Sequence, residues 1–163
     1  MPVSEPHGLP PYEVVLFALA FAALWLIVCA LLARLSGWRA LAQRFPARDQ
    51  LGGETFRFAS GSLTALVLPV NYSSSLTVTV GPEGLGLAVM LPFRFQAPPL
   101  CIPWREVASV EGRSFLGFAA IVRLKGSGPV VKLTGRAGQG VARAWEASPG
   151  FPSSRREQPP RGR

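Results

Sequence analysis

The sequence predicts an α+β protein. One N-terminal transmembrane helix precedes a small, mostly antiparallel β-barrel or sandwich that ends in a C-terminal helix. Three observations predict this. Residues 14–33 read VVLFALAFAALWLIVCALLA, an apolar run without a charge. Residues 55–133 break into short alternating or β-branched segments divided by Gly, Pro and Ser turns. One amphipathic helical window follows, in residues 139–147.

The apolar run is 20 residues long. At about 1.5 Å per residue, a helix of that length crosses the roughly 30 Å hydrocarbon core of a bilayer. A cleaved signal peptide would have a basic n-region and a shorter apolar core. Here residues 1–13 carry Glu5 and Glu13 and no Lys or Arg. A lipoprotein signal ending at Cys29 would need a small residue where Val28 stands. An uncleaved anchor over residues 14–35 is therefore expected, after a short N-terminal tail of residues 1–13.

Charge around the span predicts its orientation. Arg34, Arg39, Arg44 and Arg48 follow the span, with no acid before Asp49. Basic residues close to a span are retained on the cytoplasmic side. The N-terminus is then outside and the C-terminal part inside, at the cytoplasmic membrane. Residues 36–48 read as a basic juxtamembrane linker whose arginines meet anionic headgroups. Tyr12 and Trp38 bracket the span, as amphipathic rings do at the headgroup level.

The net charge of +8 is uneven. Residues 34–48 and the tail, residues 149–163, hold most of the excess, and the intervening domain is only mildly basic. That distribution, without a helix-turn-helix, zinc-finger or ribonucleoprotein-type aromatic motif, argues against nucleic acid as a partner. Fifteen Arg against two Lys, with much Ala, Gly and Pro, suggests a GC-rich bacterial genome. The tail PGFPSSRREQPPRGR has the composition of a disordered basic segment. The two cysteines, one in the span and one in a strand-like segment, are not expected to form a disulfide, which fits a reducing compartment.

Residues 49–148 are enough for one small core. Residues 55–60 alternate between faces, 63–70 form an apolar run, and 76–80 alternate with period two. Pro82-Glu83-Gly84 reads as a tight turn into 85–90. Residues 100–102 form a short strand before Pro103, and 104–111 another. Residues 115–124 and 130–133 pair across a loop at 125–129. In the last window Val141, Ala144 and Trp145 share one helical face.

Within this pattern, Gly84-Leu85-Gly86-Leu87 followed by Ile102-Pro103-Trp104-Arg105-Glu106-Val107-Ala108-Ser109-Val110 resembles the GLxL…IPWxEIxxV run of bacterial PH-like and GRAM-like domains. The resemblance covers roughly residues 55–147, and the whole chain is similar to bacterial single-span membrane proteins carrying such a domain. It implies a barrel of six or seven strands with the terminal helix plugging one end. It implies no chemistry, since fold does not entail function. Trp104 is expected as a packing residue with its N–H partnered, or as a ligand contact. Pro103 suits a strand end or an edge. Arg94 and Arg105, flanking the Pro-rich stretch 96–99, are weaker candidates for a partner surface.

The residues supply little for catalysis. The only His is His7, in the N-terminal tail, so the domain has none for a Ser-His-Asp arrangement. One domain cysteine and scattered Glu do not make a metal site, and Glu106 and Glu111 read as exposed charges. The glycines of residues 134–140 follow the order G-x-x-G-x-G and lack a P-loop Lys. They read as a strand-to-helix turn, or as an anion site assisted by Arg136. No cofactor and no metal are expected. Ala18 and Ala22, four apart in the span, would permit close helix–helix approach.

The expected function is a non-enzymatic, membrane-anchored binding module on the cytoplasmic face. It would engage a protein, a peptide or an anionic lipid, with the bilayer itself as a partner. The alternative is an accessory subunit of a larger membrane complex, acting through helix and domain contacts with an integral membrane protein or a second copy of itself.

Overall fold

The computed structural model of the chain describes residues 10–47, 51–65, 69–91, 93–114, 117–126 and 128–149. Helix α1, Pro11–Leu35, contains the apolar run. Pro11 at its first turn needs no helical hydrogen-bond partner for its nitrogen. The helix is long and apolar enough to cross a membrane, and nearly all of its surface is uncovered by the rest of the protein. It stops at Gly37, which adopts φ +74° and donates its N–H to Arg34 O. A Cβ there would stand 2.6 Å from the Ala65 Cβ. Left-handed backbone and close approach therefore both require glycine at this turn.

Helix α2, Trp38–Arg44, follows at once. The expectation of a linker over 36–48 is corrected here. Trp38, Leu41, Ala42 and Phe45 are all buried in the core of the β domain. Their spacing of i, i+3, i+4 and i+7 places them on one helical face. The arginines that suggested a solvated linker occupy the other face: Arg39 and Arg44 are exposed.

Seven strands follow among the described residues: β1 (Glu54–Thr64), β2 (Val70–Val80), β3 (Gly84–Val89), β4 (Leu100–Pro103), β5 (Val107–Ser114), β6 (Phe118–Leu124) and β7 (Val130–Thr134). All neighbours are antiparallel, in the order β4-β3-β2-β1-β7-β6-β5. The two outermost strands, β4 and β5, are consecutive in the chain. A single 3₁₀ turn, Trp104–Glu106, joins them. So short a connection brings the two edges together at that end, and the sheet curls into a half-barrel. Strand β1 spans the curl, pairing with β2 along its length and with β7 through Gly61–Thr64. It bends at register shifts on either side of Ala59, beside Phe58 at φ +56°.

The edge of β4 is covered. Cys101 N–H donates to Phe45 O at 3.0 Å and Ala47 N–H to Pro99 O at 3.3 Å, so the segment leaving α2 occupies ladder positions that would otherwise be open. Pro103, without a donor, sits at the end of this edge strand.

Helix α3, Gly135–Ala147, packs on β6, β1, β5 and β7. It buries Val141 and Trp145, as the amphipathic window predicts, but begins four residues earlier than expected and directly after β7. The glycines at 135–140 are thus the first turns of a helix rather than a loop. Gly138 shows why: a Cβ there would stand 2.5 Å from Leu133 O and 3.2 Å from Ala120 N. Glycine lets the helix lie against the sheet backbone.

Two further expectations change. The run at 63–70 is not one strand. Leu63 and Thr64 end β1 and Val70 opens β2, with Leu63 paired to Val70. Residues 104–111 divide into the 3₁₀ turn and the start of β5. The core is a continuous cluster containing Leu63, Leu76, Val78, Leu85, Ile102, Val131 and Leu133 from the strands and Trp38 and Leu41 from α2.

Candidate functional site

The join between α1 and the half-barrel is built from Ser36, Trp38 and Tyr72. Ser36 is fully buried. Its Oγ accepts from Trp38 N–H at 3.3 Å and from the Tyr72 hydroxyl at 3.1 Å, and donates to Ala33 O at 3.5 Å. Burial raises the Tyr72 phenol above its ordinary value, against a smaller opposing effect of the bond to Ser36. The phenol stays neutral, and a donor, through the physiological range. Trp38 stacks obliquely on Tyr72 with centroids 5.6 Å apart, and its Nε1–H donates to Pro98 O at 2.8 Å. The sequence reading set Trp38 at the headgroup level, but its ring is fully enclosed in the domain. Packing of an indole with a partnered N–H prevails over an interfacial position.

The other named residues fall into two places. Tyr12 lies in the first turn of α1 and is exposed. Arg34, in the last turn, and Arg39 are also exposed, while Arg48 lies outside the described residues. Arg44 is committed to the barrel: its guanidinium lies 3.0 Å from Glu106 and 3.4 Å from Lys125 O. That pair is substantially solvated, so its contribution to stability is small. Arg94 is exposed in the loop between β3 and β4, and Arg105 is exposed in the 3₁₀ turn. Arg105 lines a groove beside Arg44, and Arg94 is not among its lining residues.

Arg44, Arg105, Glu83 and Glu106 meet along a groove of about 900 Å³ floored by Phe45, Leu51, Cys101 and Pro103. Two basic and two acidic side chains leave it electrically balanced. Trp104 does not line it. Its ring is enclosed against Trp145, centroids 6.1 Å apart, and its Nε1–H donates to Gly81 O at 2.9 Å. It closes the barrel beneath the 3₁₀ turn.

Cys101 and Cys29 are both free thiols. Burial, and secondarily the carboxylate of Glu83, raise the Cys101 thiol above its ordinary value. In a Cys29→Ala chain, alkylation of Cys101 by iodoacetamide should be slow at neutral pH and should accelerate only above the usual thiol range, because the thiolate is the nucleophile. Glu83→Gln should raise the neutral-pH rate modestly, since it removes the smaller of the two causes. An unchanged pH–rate profile in that variant would show that the carboxylate does not act on the thiol.

Among the described residues no three His, Cys, Asp or Glu side chains come together. Phe93 and the exposed Leu91 and Phe95 beside it drew no attention in the sequence. Their signal was an apolar cluster, LPFRF, in a segment too rich in Pro to be a strand.

Compared with known proteins, the chain matches no family model, no curated protein and no solved structure.

Proposed function

We propose that this protein is a non-enzymatic, single-span membrane module of PH-like type. Its half-barrel is held at the cytoplasmic face of the inner membrane and receives a protein or peptide segment in the groove at Arg105. One observation carries the proposal: α1 exposes Leu16, Phe17, Leu19, Phe21, Leu24 and Ile27 over more than half of its circumference and yet is locked to a folded domain through Ser36 and Trp38. An uncovered apolar surface of that size is suited to lipid, and the lock makes the domain a fixed attachment rather than a tethered one. Arg34 and Arg39 at the domain end of the helix support the cytoplasmic orientation. The strand order and the packed terminal helix support the PH-like resemblance. The balance of Arg44 and Arg105 against Glu83 and Glu106 in the groove favours a polypeptide over an anionic headgroup as its occupant, and Arg34 and Arg39 are the residues proposed for contact with headgroups.

The test is purification of the full-length protein from its native membrane in mild detergent, with mass spectrometry of what accompanies it. A stoichiometric protein lost with Arg105→Glu is the expected result. A partner that survives Arg105→Glu but is lost when Ala18 and Ala22 are replaced by Leu would make the chain an accessory subunit acting through its span. Retained anionic lipid without protein would refute the polypeptide-binding groove. Orientation is read separately: an impermeant maleimide should label Arg105→Cys only after cells are permeabilised.

A further inference from the structure

We propose that the loop between β3 and β4 is a second membrane-inserting element, which lies among the acyl chains of the domain-side leaflet against α1. It rests on α1 crossing the bilayer. Leu91, Phe93 and Phe95 are all exposed, Leu91 to 76%. They form an apolar cluster on a domain whose other large apolar side chains are mostly in its core. The ring of Phe93 lies against that of Trp25, with centroids 5.1 Å apart. Trp25, Cys29 and Ala33, at i, i+4 and i+8, form the stripe of α1 that is half or fully covered.

The position of Trp25 decides the matter. It precedes the end of α1 at Leu35 by ten residues, or about 15 Å along the axis. A loop that touches Trp25 therefore runs beside the apolar part of the helix and not beyond its end. Around the same turns Leu26, Ile27, Val28 and Leu31 remain exposed. Whatever solvates those side chains also solvates Leu91, Phe93 and Phe95. If it is lipid for the helix, it is lipid for the loop.

The loop is suited to that setting. Phe93 N–H donates to Met90 O at 2.9 Å and Ala97 N–H to Arg94 O at 3.0 Å, which leaves fewer backbone groups needing water. Arg94, between the two phenylalanines, has an aliphatic stem long enough to carry its charge back to the headgroups, on the side where Arg34 and Arg39 stand. Pro98, at the base of the loop, is bonded to Trp38. Span, α2 and loop are thereby linked, and insertion at two points fixes how the half-barrel faces the bilayer.

Depth measurement tests this. Nitroxide labels are placed at Leu91→Cys and Phe95→Cys in a full-length Cys29→Ala/Cys101→Ser chain, reconstituted in phosphatidylethanolamine–phosphatidylglycerol vesicles. Leu19→Cys reports the span and Arg143→Cys an exposed position on α3. Labels at 91 and 95 should be more accessible to oxygen than to a water-soluble nickel chelate, as at 19 and opposite to 143. Loop labels open to nickel while the label at 19 is not would refute the wedge and leave the anchor standing. Loop labels shielded from both reagents would mean that protein, not lipid, covers the cluster, and would also overturn it. A label at 19 open to nickel would overturn the anchor itself and the wedge with it. All four positions are exposed, so the labels disturb no core packing.

Discussion

Replacing Trp38 with alanine should lower the unfolding free energy of the β domain by about 3–5 kcal/mol, the usual cost of deleting a buried aromatic ring. Trp38 is fully enclosed, packs on Tyr72, and is joined to Pro98 O through its indole N–H. A small domain has a total stability of about 5–15 kcal/mol, so the loss is a large share of what is available. Denaturant unfolding of the full-length protein in detergent measures it. Trp38→Phe separates the contributions. It keeps most of the ring volume and the contact with Tyr72 but leaves Pro98 O without its donor, and should cost only about 1–2 kcal/mol. If Trp38→Ala were as mild as a surface substitution, α2 would not be part of the domain core. The segment would then be the linker that its arginines suggest.

Trp104→Ala should cause a loss of the same size, about 3–5 kcal/mol, for a different structural reason. Trp38 joins the domain to the span, whereas Trp104 joins the two edges of the sheet. It stands in the three-residue turn between β4 and β5, fills the space beside Trp145 and donates to Gly81 O. Its removal leaves a cavity under the turn and a buried carbonyl without a partner. Hydrogen exchange should therefore rise in β4, β5 and the C-terminal half of α3 before it rises in β1 and β7. Uniform loss of protection across all strands would show that the turn is not a separate closure. Trp104→Phe should again recover most of the loss.

Legibility in the sequence followed the range of the forces involved. Helix α1 was plain, because twenty consecutive apolar residues without a charge make a helix long enough to cross a bilayer. Strands β3, β6 and β7 and the second half of β2, residues 76–80, were plain from the local pattern, as was the buried face of α3 around Val141 and Trp145. Helix α2 was encoded but masked. Trp38, Leu41, Ala42 and Phe45 have helical spacing, yet the segment is only seven residues long, and the charges of Arg39 and Arg44 outweighed the stripe between them. An isolated helix that short has no stability of its own. Only the half-barrel against which it packs makes it form. The β1–β2 hairpin was missed for a related reason: most of residues 63–70 are apolar, so periodicity does not divide them, and only Pro69 marks the break.

The candidate site divides in the same way. Exposed arginines beside the span, Arg34 and Arg39, follow from proximity along the chain. The groove that unites Arg44, Arg105, Glu83 and Glu106 does not, because its members come from α2, the β2–β3 turn and the 3₁₀ turn. The contact of Phe93 with Trp25 spans 68 positions and has no local signature. Residue order alone settled that α1 is long and apolar enough to cross a membrane, the β character of the domain and the chain's single His, since each depends on composition or on neighbours a few positions apart. The curling of the sheet, the rigid join at Ser36 and the placing of an apolar loop against the span were decided by folding, because each depends on residues that meet only when distant strands have already paired.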